Sequence, residues 1–195
     1  MLFDISEIRL HVIGQTVAFA IEHGREWGQL FLNDLSWRGN KAKMAKHAIS
    51  ESVVFGLRKN INNLNFDWHD SNSSGMKSEI AALLYSHVKL ASTLFTIYGI
   101  DTTRVATHPL VLAAASGVSV TELATQLETS SAPQCIQKAL QSISRNKFAE
   151  INTVLGAKLI AQFKEQIKEH NNVNYTTLNT CGDSVKAFIT AYRSV

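Results

Sequence analysis

The sequence predicts an all-α protein, and three observations carry that prediction. Apolar residues recur at intervals of three and four along several stretches. No stretch alternates apolar and polar residues over the length of a strand, and no Asn-Gly or Asp-Gly pair marks a hairpin. Only two prolines, Pro109 and Pro133, interrupt the 195 residues, so long helices go unbroken. With 45% hydrophobic residues, the chain is expected to fold as one domain of about seven helices, with a core that requires no metal, cofactor or disulfide.

Each element has its own signal. Ser6 is placed to cap a first helix, with Ile8, Val12 and Phe19 on its apolar face. That helix is expected to run to about Gly24 and restart at Arg25, carrying Leu30, Phe31 and Leu35. Trp37-Arg-Gly-Asn40 reads as a connection, with Asn40 as the next cap. A second helix covers about 41–62, and its Val53-Val-Phe-Gly-Leu57 centre is apolar nearly all round, as in a segment buried on several sides. A polar loop over 62–76 follows and marks a candidate boundary between two lobes.

The clearest amphipathic helix spans 77–98, where Ile80, Leu84, His87, Ala91, Leu94 and Tyr98 share one stripe and Gly99 ends it. Short helices over 109–116 and 120–128 come next, and Pro133 opens another. The pattern then runs to about His170 with a break near Ser144-Arg-Asn146. Its inner face is expected to be Ile151, Val154, Leu155, Ile160, Phe163 and Ile167. Asp183 is placed to cap a last helix with Val185, Phe188, Ile189 and Tyr192 on one face.

Several functions are argued against by what the chain carries. Cys135 and Cys181 stand far apart without a CxxC context, which fits thiols in a reducing compartment better than a zinc site. The N-terminus has no basic and apolar leader, and the apolar window 109–120 is too short for a bilayer. A cytoplasmic protein without a membrane partner is the expectation. Nucleophile elbows, paired-histidine zinc motifs and phosphate-binding glycine loops are absent. His87, in the seam of a helix, is expected to be a hydrogen-bonded core residue.

Charge provides the functional leads. Residues 1–36 set Arg9 and Arg25 against five carboxylates, a balance of −3, whereas 37–60 hold six cations against Glu51, a balance of +5. Arg38, Lys41, Lys43, Lys46, His47, Arg58 and Lys59 are therefore candidates for binding an anion or a nucleic acid. Lys41 and Lys43 point about 200° apart on an ideal helix, so a shared face is not implied for all of them. Asp67, Trp68, His69 and Asp70 cluster in the polar loop and are candidates for touching a partner.

The segment 119–143 loosely follows a helix-turn-helix pattern, with Gln134, Gln137, Lys138 and Gln141 left to face a groove. Its second helix starts late for that motif, and an ordinary helical hairpin fits the segment better. The expected function is non-catalytic: a helical interaction or regulatory protein that binds a protein partner or itself. The alternative is DNA or RNA binding through the basic helix.

Overall fold

The computed structural model describes residues 10–58, 74–170 and 176–194, and these form an all-α fold. The described residues make eight α-helices and no strand: α1 (Leu10–Asn33), α2 (Lys41–Arg58), α3 (Ser74–Ile97), α4 (His108–Ala115), α5 (Val120–Gln126), α6 (Pro133–Ser142), α7 (Arg145–His170) and α8 (Thr177–Arg193). Short 3-10 helices at Leu35–Trp37 and Val105–Thr107 join α1 to α2 and lead into α4.

The helix signals in the sequence have local causes here. The side chain of Asn40 accepts from the Lys43 backbone N–H at 3.0 Å and so starts α2. Ser119 and Glu122 exchange side-chain and backbone bonds in a capping box at the head of α5. At the end of α3, Gly99 takes φ +80, and the amides of Gly99 and Ile100 return to the Thr96 and Phe95 carbonyls. The side chain of Ser144 accepts from the Lys147 N–H, which separates α6 from α7 where a break is expected.

The centre of the molecule is α3. It touches α1 along most of its length and also α2, α4, α7 and α8. From Ala82 to Ile97 only Ser86 and Lys89 are not fully buried. The sequence points to α2 as the helix buried on several sides, whereas in the structure that helix is α3. Met44, Ala45, Ala48 and Ile49 of α2 are buried, whereas Phe55 is 48% exposed. The second buried face of α3 escaped notice because it is built from hydroxyls. Ser92 donates to the Ile21 carbonyl at 2.6 Å, and Thr93 donates to the Gly24 carbonyl at 3.0 Å. A hydropathy count scores such residues as polar, yet once bonded they bury at little cost.

Other expectations are corrected in the same way. Gly24 does not break α1, because it is a contact point. A Cβ there would collide with the Lys89 carbonyl and stand 2.7 Å from Ser92 Cβ, and one on Gly28 would stand 2.7 Å from Thr96 Cβ. The inner face of α1 is Val17, Ala20, Ile21, Gly24, Gly28 and Phe31, while Phe19 is 39% exposed. Val154 of α7 points outward, and Leu159 takes an inner place instead. Asp183 lies inside α8, paired with Lys186 at 2.8 Å, so it caps nothing.

The buried residues form one cluster with members from every helix. Residues 62–73 of the predicted polar loop, and with them the proposed lobe boundary, lie outside the described residues, while 74–76 begin α3. The Glu79–Ile97 part of α3 is long and apolar enough to cross a membrane, but 83% of that window is buried inside the protein, as a core helix requires.

Candidate interaction surface

The basic segment is held at a corner where α1, the 3-10 helix Leu35–Trp37 and the start of α2 meet. A chain of rings fixes that corner: Trp27 to Phe31 at 5.5 Å, Phe31 to Trp37 at 5.6 Å and Trp37 to His47 at 5.2 Å between centroids. Asp34 starts the 3-10 helix by accepting from the Ser36 N–H at 2.9 Å, and hydrogen bonds from the Ser36 hydroxyl and then its backbone hold the carboxyl pKa below the ordinary value. Arg38 ends it with φ 50, in the left-handed region, and Gly39 follows at φ 70.

With Met44, Ala45, Ala48 and Ile49 facing the core, Lys43, Lys46 and His47 are turned outward on successive positions of one face. Arg38 is exposed just before them. Among the described residues, neither Arg38, Lys43 nor Lys46 forms an ion pair. Lys41 is exposed but directed elsewhere: its Nζ lies 3.9 Å from where a Cβ on Gly99 would stand, at the carbonyl end of α3. The structure thus brings Arg38, Lys43, Lys46 and His47 to one corner and separates Lys41 from them. The side chain of Arg58, and Lys59 altogether, lie outside what is described, as do Asp67, Trp68, His69 and Asp70.

Apolar surface borders these cations. Leu35, three residues before Arg38, is 89% exposed, and Leu30 in the last turn of α1 is 66% exposed. The sequence puts Leu30, Phe31 and Leu35 on one helix, whereas α1 ends at Asn33, and of the three only Phe31 is buried. A second feature was not legible at all. The Lys89 ammonium lies 5.0 Å from the Trp27 ring, 5.6 Å from Phe55 and 5.8 Å from Tyr85, so rings from three helices surround one cation.

The other candidates resolve into structure. His87 is buried: its Nδ1–H donates to the Leu83 carbonyl at 2.8 Å, and its Nε2 accepts from the Thr177 hydroxyl at 3.2 Å. Burial lowers its pKa to about 4, which keeps the ring neutral. Cys181 is buried beside it, with its thiol pushed up to about 12 by desolvation, whereas Cys135 is exposed. No group of three or more metal-binding side chains occurs among the described residues.

In the segment 119–143, Gln134, Gln137, Lys138 and Gln141 are exposed on α6. Six residues, 127–132, separate α6 from α5. A helix-turn-helix uses a turn of about three or four. No protein-family model, curated protein or solved structure matches the chain.

Proposed function

We propose that this is a non-catalytic interaction protein that binds an acidic, partly apolar protein surface at the α1–α2 corner. One observation carries the reading: Arg38, Lys43 and Lys46 are exposed without carboxylate partners among the described residues, and the α1–α2 connection and the last turn of α1 that lead to them expose Leu35 and Leu30. Unpaired cations attract and orient an anionic partner over long range, and leucines supply the apolar area that holds it. The rings beneath keep the corner rigid, so little ordering entropy is lost on binding.

Selection from a displayed random-peptide library tests this reading. Sequences mixing Asp or Glu with Leu or Phe should be enriched on the wild-type chain and lost on a Leu35→Ser, Lys43→Glu, Lys46→Glu variant. Enrichment that is absent, or indifferent to the variant, rejects it. A second reading, single-stranded nucleic acid, is favoured by the half-buried Trp37 packed at a tilt against His47 beside the same cations. Anisotropy with a labelled single-stranded RNA separates the two. Affinity that falls steeply between roughly 50 and 200 mM salt, in a chain that enriches no peptide, would put nucleic acid first.

A further inference from the structure

The corner has an opposite-signed neighbour on the same molecule. On α1, Glu22 and Glu26 are exposed one turn apart, on the stripe that also carries Phe19 and Leu30. On α2, Lys43, Lys46 and His47 occupy one turn of the outer face. Both helices pack on α3, which leaves the two stripes outside. The carboxylates repeat at about 6 Å along α1, and the cations at about 4.5–6 Å along α2. Arg25 and Glu51, the charges of the other sign, lie about 80° off the centre of their stripes. Among the described residues, Glu22, Glu26, Lys43 and Lys46 make no ion pair within the molecule.

We propose that the partner is a second copy of this chain, related by a two-fold axis, with the acidic stripe of α1 in each copy lying on the basic stripe of α2 in the other. This rests on the protein-partner reading above and names the acidic surface it requires. A two-fold contact is self-complementary: whatever residue i of one copy meets in the other, the reverse contact also occurs. A chain with two stripes of opposite sign and similar repeat meets that condition, and each pairing is made twice. Phe19 and Leu30 lie on the acidic stripe at either end of the carboxylate pair and add apolar area to the contact.

Sedimentation equilibrium of the full chain, at about 50 and 500 mM salt, tests the proposal through charge reversal. The wild type should dimerise, with an affinity at least tenfold weaker at the higher salt. Glu22→Lys/Glu26→Lys and Lys43→Glu/Lys46→Glu should each be monomeric alone, because each sets like charges against like. Mixed in equal amounts, the two variants should form a heterodimer of about wild-type affinity, since one pairing is then the wild-type one and the other is restored with reversed sign. The four substituted positions are exposed, and circular dichroism checks that both variants keep their helices.

A wild type monomeric up to roughly 100 μM overturns the proposal. So do variants that still dimerise alone, or a mixture that stays monomeric. A monomeric chain that still enriches acidic peptides overturns self-association and leaves the protein-partner reading standing. One that does neither overturns both.

Discussion

Acid should destabilise this protein through His87. In the unfolded chain its imidazole takes a proton near the ordinary value of about 6.5. In the folded state burial holds the pKa at about 4. Between those values the unfolded state binds the extra proton, so stability falls as pH drops from about 6.5 towards 4 and is fully present above that window. The difference amounts to roughly 3 kcal/mol over the window, or up to about 1.4 kcal/mol per pH unit within it. Urea denaturation of wild type and His87→Gln between pH 7 and 4.5 checks this. The variant should lose about one proton's worth of slope, and an unchanged slope would assign the acid sensitivity elsewhere. Core placement of His87 was legible from its seam position. Its neutral state was not, because that depends on how completely other helices bury the ring, with Phe163 of α7 packed at 4.7 Å between centroids.

At the scale of elements, the close approach of α1 to α3 depends on residues without bulk. Gly24→Ala puts a methyl against the Lys89 carbonyl and Ser92, backbone and short side chain that cannot swing away. Overpacking of this kind costs about 1–3 kcal/mol, against the roughly 1 kcal/mol that alanine gains over glycine inside a helix. The net change should be destabilising. Gly14→Ala on the same helix meets nothing within 4 Å and should be neutral or stabilising by up to about 1 kcal/mol. Thermal melts of the two variants give the comparison, and the reverse ordering would contradict the contact. The glycine was visible in the sequence but was read as a break. The Ala20, Gly24, Gly28 repeat at intervals of four was the signal that a second helix passes close by.

For the whole molecule, one buried cluster joining every described helix predicts one cooperative unfolding event. The chain carries its own probes. All three tryptophans, Trp27, Trp37 and Trp68, precede residue 70, while Cys181 is buried in α8. In a Cys135→Ser background, tryptophan fluorescence and protection of the Cys181 thiol should lose their native values at the same urea concentration. Separate midpoints would mean that the two parts of the chain unfold as lobes.

The sequence by itself determined the helical class, most helix starts and stops, and the uneven charge. These depend on local chemistry: period, caps, glycine at left-handed positions and proline in first turns. Tertiary structure decided which helix is central, since burial of α3 on its hydroxyl face requires carbonyls offered by α1. It also decided which cations act together. Lys41 and Lys43 are two residues apart, yet one reaches the end of α3 and the other faces outward with Lys46. A surface is set by what covers the remainder of each helix, and that information lies in other parts of the chain.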